Sequence, residues 1–191
     1  MKIKALLYCT KAKPYLIKNP TNVKNQFVKD YWLINKLEEK PLKDNNPILN
    51  GKIVAECDFE VEKIEYSLIV ANNKPYHYYE PQNIFVDKFY EKSCLNHQQV
   101  EEYLGYKNGY AIHIKNLHIF DEPRFIQDYS KNENPYNYIE NAPQNMMYAY
   151  DNEGNKYVLI SIRPEWLCKI LNGEKTIEVR KKVLKGMLKN E

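Results

Sequence analysis

The chain has few arginines and few cysteines, and it has no long apolar run. Its arginines are Arg124, Arg163 and Arg180, and its formal net charge is +3, so the composition does not require a nucleic-acid partner. The four cysteines form no CxxC pair, and neither a signal peptide nor an apolar run of membrane length is visible. We therefore expect reduced thiols, a cytoplasmic location and no membrane partner.

Histidine is also scarce, at four residues. His113 and His118 are five residues apart on a predicted strand, so their side chains are expected on opposite faces, and we predict neither a metal site nor a cofactor. Tyrosine, in contrast, occurs 17 times. Tyrosine can bury its ring and keep its hydroxyl in contact with water, which suits interfaces and base-stacking surfaces. The composition of an AT-rich genome, however, explains most of these tyrosines better.

Hydrophobic patterning predicts an α+β fold with many strands and a few short helices. The predicted strands are 4–10, 51–66, 109–120, 146–150, 157–162 and 176–180, of which 109–120 is either one bent strand or a pair. The predicted helices are 21–39, 95–105 and 164–172, with a further turn or two within 121–129. The tyrosine-rich stretch 72–82 is expected to be an excursion outside the core. This pattern favours a small β-barrel with helices at its rim.

Two segments carry the clearest local signals. From Ile53 to Val61, apolar residues on one face alternate with mostly charged ones, which predicts a long half-buried strand. In the segment LNHQQVEEYLG, Asn96 is placed to cap a helix, Gln99 to complete a capping box, and Gly105 to end the helix.

The segment ISIRPEWLCKILNGEKTIEVRKK closely resembles the opening motif of ASCH domains, which belong to the PUA-like superfamily of β-barrels. That motif is a strand, a helix and then G-x-K-[ST]-x-E-x-R on a second strand. It is matched here by Gly173, Lys175, Thr176, Glu178 and Arg180. Further segments that resemble phage and prophage members of the family are LLYCTKAKP, NGKIVAECDFEVEKI, SCLNHQQVEEYLGYKNGYAIHIKNLHIFDEPR and APQNMMYAY.

The order of these segments departs from the family pattern, because the motif that opens an ASCH domain comes last here. The simplest explanation is a circular permutation of a single domain over 1–191, with insertions at about 18–50 and 68–92. The two ends of the chain are then expected to meet as adjacent strands, bringing Lys11 close to Lys175. A truncated second domain, or a swap between chains, would also place the motif at the end.

The resemblance implies an RNA-binding or nucleoside-binding cleft in a phage or prophage protein. The ligand-binding residues that we expect are Lys175, Arg180, Lys11, Lys13, Tyr8, Thr10, Gln144 and Asn145. The cations would contact phosphates, a tyrosine such as Tyr8, Tyr110 or Tyr148 would stack on a base, and the amides would read a base edge.

Alternation along the last predicted strand places Lys175, Ile177 and Val179 on the core-facing side and Thr176, Glu178 and Arg180 on the other face. Lys175, just before the strand, is expected at the barrel mouth. Without the resemblance, the same residues would be interpreted as an exposed Glu178–Arg180 ion pair, worth under about 1 kcal/mol.

Two other functions remain open. Relatives of this type include hydrolases of RNA or acylated cytidine, in which case Lys175 and Glu178 would be the catalytic residues and Glu91 the distant carboxylate. Glu178, however, stands where the deacylases have a threonine, and a carboxylate cannot serve as a hydroxyl nucleophile. Alternatively, the tyrosines of 76–79 could form a loop that binds and inhibits a host protein.

Overall fold

The structure is a computed structural model, and it describes residues 3–10, 51–81 and 86–188. Its strands are β1 (Ile3–Cys9), β2 (Ile53–Ala71), β3 (Lys74–Pro81), β4 (Gly109–Arg124), β5 (Met146–Tyr150), β6 (Lys156–Ile162) and β7 (Ile177–Arg180). Its helices are α1 (Val86–Ser93), α2 (His97–Leu104) and α3 (Pro164–Leu171), with a 3-10 turn at Ile126–Asp128. The predicted helix 21–39 lies outside the described residues, as do Lys11 and Lys13.

The chain divides into two compact units. Unit 1 comprises Phe59–Lys115 and the segment from Glu174 onwards, and unit 2 comprises Ile3–Asp58 and Asn116–Gly173. The long strands β2 and β4 contribute one half to each unit.

The expectation of one domain over 1–191 remains a prediction. Of its two insertions, 18–50 lies outside the described residues, whereas 68–92 contains the end of β2, β3 and most of α1.

Unit 2 is built on three neighbouring strands in the order β5-β6-β1. β1 pairs in parallel with β6, with Ala5 opposite Val158, and β5 pairs antiparallel with β6. Its core consists of Leu6, Tyr8, Ile53, Phe120, Ile126, Tyr129, Ile139, Ala149 and Leu159. The predicted strands 4–10, 146–150 and 157–162 are therefore confirmed to within a residue or two.

Unit 1 contains the β2–β3 hairpin, the β4–β7 pair and helices α1 and α2. Its core consists of Ile64, Tyr79, Phe89, Val100, Leu104, Ala111, Ile177 and Val179. The predicted capping box is present, because the Asn96 side chain accepts from the Gln99 backbone and the Gln99 side chain accepts from the Asn96 backbone. Gly105 ends α2 in the left-handed region, at φ 67°.

The alternation predicted for β2 is confirmed in its first half, where Ile53, Ala55, Cys57 and Phe59 are buried. Further along, the apolar face changes: Val61, predicted on the same face, is only half-buried. Lys63 is exposed, and Ile64 is buried in the core of unit 1. In unit 1 the carboxylates of this strand bind across to β4, where Glu62 lies 2.9 Å from His113 and Glu60 pairs with Lys115.

The α+β class is confirmed as a mixed sheet with a few short helices, but closure into a barrel is not. The strand order is β5-β6-β1-β2-β4-β7, with β3 on β2, so the described strands form an open series with β5 and β7 at its ends. β1 is hydrogen-bonded to β6 and β2, whereas β7 is hydrogen-bonded to β4. The predicted pairing of the two ends of the chain as adjacent strands is therefore wrong for the described residues.

One local prediction is also wrong, and another is confirmed only in part. The stretch 72–82, expected to be an excursion that includes the tyrosine loop 76–79, is the turn Asn72–Asn73 followed by β3. In the segment 121–129, one or two helical turns beginning at Pro123 were expected; β4 instead continues to Arg124, and a single 3-10 turn follows at Ile126–Asp128. The guanidinium of Arg124 lies 3.7 Å from the Phe120 ring and donates to the Tyr129 hydroxyl at 3.1 Å, contacts that hold this extended end against the core of unit 2. None of the described helices is long and apolar enough to span a membrane.

Candidate functional site

The motif matched by the sequence lies mostly in unit 1, in the segment that leads into β7. The chain turns at Gly173, whose φ of +77° favours glycine. The next residues are then held on two sides: the Thr176 N–H donates to the Lys92 carbonyl of α1 at 2.9 Å, and the Ile114 N–H of β4 donates to the Thr176 carbonyl at 2.9 Å. These backbone bonds fix the position of Lys175 between α1 and β4.

Among the residues that the structure describes, Lys175 is one of the few buried charged ones, with 2% of its surface exposed. Its Nζ donates to the Ser93 carbonyl at the end of α1, at 2.6 Å, and lies 3.4 Å from Oε2 of Glu178. Burial lowers the pKa of Lys175, and the carboxylate of Glu178 opposes this shift. The prediction that this lysine lies at an open barrel mouth is therefore wrong.

Glu178 lies between two cations. Its Oε1 accepts from Nη2 of Arg180 at 2.9 Å, while its other oxygen faces Lys175, and the side chains of Glu178 and Arg180 are 10% and 11% exposed. The Glu178–Arg180 ion pair is therefore largely buried, and not exposed as the residues alone would suggest. A carboxylate that contacts two cations in a largely buried position is oriented by both, and in turn orients the Arg180 guanidinium.

The side chains of β7 alternate between the two faces of the sheet, as predicted. Ile177 and Val179 are buried in the core of unit 1. On the other face, Arg180 lies directly opposite the half-buried Tyr110 of β4, and Glu178 lies opposite Ile112. Residues opposite each other in an antiparallel pair have neighbouring side chains. We call this face of the β4–β7 pair the Arg180 face; Tyr110 and Arg180 are its half-buried residues, and Ile112 and Glu178 are its buried ones.

Lys63 adds a further positive charge near Tyr110. The pKa of this exposed lysine is raised mainly by its ion pair with Glu65 and to a lesser degree by Tyr110. The Arg180 face therefore combines an aromatic ring, an oriented guanidinium and a nearby ammonium group.

The other predicted ligand residues lie in unit 2 or outside the described residues. Tyr8 is 7% exposed and packs in the core of unit 2, so its ring is not presented for stacking. Thr10 follows β1, and its N–H donates to the Ile162 carbonyl at 3.0 Å. Gln144 is exposed, and the Asn145 carbonyl accepts from the Ser161 N–H at 2.9 Å. Glu91, the proposed distant carboxylate, is exposed on α1.

Sequence reasoning missed the Ser93 carbonyl, which is the closest partner of the Lys175 amine. A backbone acceptor 82 residues away carries no residue-type signal, so no sequence pattern could have shown it. In the part of the chain that the structure describes, no group of three or more His, Cys, Asp or Glu side chains is placed to hold a metal.

Comparisons with known proteins gave no match: no family model, no curated protein and no solved structure is significantly similar to the chain.

Proposed function

We propose that the protein binds RNA, or a nucleotide derived from it, on the Arg180 face of unit 1. The observation that carries the proposal is the placement of Arg180 directly opposite Tyr110 on neighbouring strands. A guanidinium binds a phosphate through two parallel hydrogen bonds, and a tyrosine ring on a sheet surface stacks on a base. Arg180 and Tyr110 would therefore bind the phosphate and the base of a single nucleotide.

In this proposal Lys175 is a positioning residue. Its side chain is 2% exposed, and its amine, bound to the Ser93 carbonyl, orients Glu178, which in turn orients the Arg180 guanidinium. Two cations share one carboxylate, so when Lys175 is protonated the three groups carry a net charge of +1. An arriving phosphate offsets this charge, which favours binding of an anionic ligand.

The match of Gly173, Lys175, Thr176, Glu178 and Arg180 to the G-x-K-[ST]-x-E-x-R motif supports a finer proposal. On this proposal the chain is a circularly permuted ASCH-like, PUA-like domain of phage or prophage origin that acts in the cytoplasm. This finer proposal includes a closed β-barrel, which the described strands do not form.

Fluorescence anisotropy with a labelled single-stranded RNA tests the binding proposal. We expect Arg180→Gln to weaken binding at least about tenfold and to reduce the slope of log K against log salt by about 0.7, because one phosphate contact is lost. Arg163→Gln is the matched control, since Arg163 also pairs with a glutamate, at 3.8 Å from Glu165, but is 75% exposed. Equal effects of the two changes, or no RNA binding by the wild type, would contradict the proposal.

A second candidate function is hydrolysis of an acylated nucleoside, and the lowered pKa of Lys175 beside Glu178 favours it. A neutral Lys175 amine would take a proton from a water whose oxygen bonds to the amide carbon. The carbon–nitrogen bond would then break while the Lys175 ammonium returns its proton to the leaving nitrogen, giving a carboxylic acid, the free amine and a neutral Lys175. Turnover of N4-acetylcytidine, followed by absorbance, should rise with pH as the amine deprotonates and should be lost in Lys175→Met. Absence of turnover across the alkaline range would eliminate this candidate.

A further inference from the structure

Three buried side-chain oxygens of unit 1 have no hydrogen-bond partner among the residues that the structure describes. They are the hydroxyl oxygen (Oη) of Tyr79 on β3, Oη of Tyr90 on α1 and Oε1 of Glu101 on α2. A buried polar oxygen without a partner keeps the full cost of its lost hydration, so such atoms are few in native proteins. Three of them in one unit therefore need an explanation.

Tyr90 approaches Glu101 from the side of α1. The ring of His97, at the start of α2, lies 5.8 Å from the Tyr90 ring, and Nδ1 of His97 lies 3.5 Å from Oε2 of Glu101. Burial and, to a lesser degree, the charge of Glu101 raise the pKa of Tyr90 to about 12. The Tyr90 hydroxyl and the second oxygen of Glu101 thus share one buried region.

Tyr79 approaches Glu101 from the side of β3. It is 0% exposed, and its ring lies 5.2 Å from the ring of Tyr66, which lies 5.8 Å from the ring of Tyr106, just after α2. Burial and then the charge of Glu101 raise the pKa of Tyr79 to about 12. The backbone N–H groups of Tyr106 and Lys107 lower this pKa in part, but neither forms a hydrogen bond with the hydroxyl.

The hydrogen-bonding capacity of the three oxygens restricts what can bind among them. With pKa values of about 12, both tyrosines keep their protons at neutral pH, so each hydroxyl has a proton to donate. An ionised Glu101 can only accept. A metal ion or an ammonium group would leave both hydroxyl protons without an acceptor. A water molecule can accept from both hydroxyls and donate to the carboxylate.

We propose that a single buried water molecule binds among Tyr79, Tyr90 and Glu101. Its oxygen accepts from the two hydroxyls, and one of its protons is donated to Oε1 of Glu101. Three hydrogen bonds are typical of a buried water. The water joins β3, α1 and α2 within unit 1, and its binding is independent of RNA binding on the Arg180 face.

Crystallography of the full chain tests the site directly. At a resolution that shows ordered water, we expect one water oxygen within about 2.7–3.2 Å of Tyr79 Oη, Tyr90 Oη and Glu101 Oε1. A direct hydrogen bond between either hydroxyl and the carboxylate, the density of a cation, or no density among the three atoms would overturn the proposal.

Removal of each hydroxyl tests the hydrogen bonds through the sign of the change in stability. If both hydroxyls donate to the water, Tyr79→Phe and Tyr90→Phe should each lower the melting temperature by about 2–4 °C. Tyr136→Phe is the control, because Tyr136 is 90% exposed and its change should leave the melting temperature unaltered. An unchanged or raised melting temperature in either buried variant, as expected when an unpaired hydroxyl is removed, would contradict the proposal.

The double variant tests whether the two hydroxyls share one water. Once one hydroxyl is gone, the water is held less well and the other hydroxyl has lost part of its partner. The melting temperature of the Tyr79→Phe, Tyr90→Phe double variant should therefore fall by less than the sum of the two single changes. Strictly additive changes would exclude a shared water.

Discussion

At the scale of single residues, Lys175 has the most unusual environment in the site. A lysine ammonium loses hydration when buried, and this cost is offset here by the Ser93 carbonyl and by Glu178. The lowered pKa shows that burial outweighs these partners. The sequence correctly placed this lysine before the last strand and on its core-facing side. It could not show that the lysine is buried, because its carbonyl partner Ser93 lies at the end of α1, far away in the sequence.

The pH dependence of stability tests this environment. Because the pKa of Lys175 is lower in the folded state than its ordinary value of 10.5, the unfolded chain binds more protons between the two values. The free energy of unfolding of the wild type should therefore rise relative to that of Lys175→Met as the pH increases toward 10.5. Urea unfolding of both proteins at neutral and alkaline pH measures this difference. A difference that stays constant or shrinks with pH would disprove a lowered pKa.

Removal of the shared carboxylate should be more damaging than removal of an exposed one. Glu178→Gln leaves Lys175 and Arg180 without their common anion at a largely buried position, so we expect a loss of about 3 kcal/mol in unfolding free energy. Glu165→Gln, which breaks the exposed pair with Arg163, should cost no more than about 0.5 kcal/mol. Comparable losses in the two variants would mean that the buried cluster contributes no more than a surface pair.

At the scale of elements, the parts that could be predicted are those with local signals. The Asn96–Gln99 capping box and Gly105 define α2 from neighbouring residues alone, and alternation defines the first half of β2. β3 was missed because its prolines and tyrosines follow no apolar alternation. Its hydrogen bonds to β2, and not its own pattern, make it a strand. β4 was left open as one strand or two, and it is a single strand in which Asn116 has a φ of 51°.

The cap of α2 provides a test at this scale. In Asn96→Ala the acceptor for the Gln99 N–H is lost, so we expect a loss of about 1 kcal/mol in unfolding free energy. Asn96→Ser keeps an acceptor and should cost a few tenths of that amount. Thermal or urea unfolding of both variants measures the difference. If serine and alanine were equally destabilising, the cap would not contribute to stability through its hydrogen bond.

At the scale of the whole molecule, the arrangement of strands was the hardest feature to predict. β1 pairs with β6, which is about 150 residues away in the chain (Ala5 opposite Val158), and local patterns carry no information about such partners. The resemblance to a permuted domain led instead to the expectation that β1 and β7 are neighbours. The division of the ligand residues between two units could not be predicted either, because each unit combines segments from distant parts of the sequence.

The central claim is that RNA binds at the Arg180 face, and the scarcity of arginine allows a direct test over the whole chain. The Nε–Hε groups of Arg124, Arg163 and Arg180 should give three side-chain signals in a proton–nitrogen correlation spectrum. During titration with a short single-stranded RNA, we predict that the Arg180 signal shifts, while those of Arg124, stacked on Phe120, and of exposed Arg163 stay in place. An unchanged Arg180 signal at saturating RNA, or a larger shift of either other signal, would contradict the account.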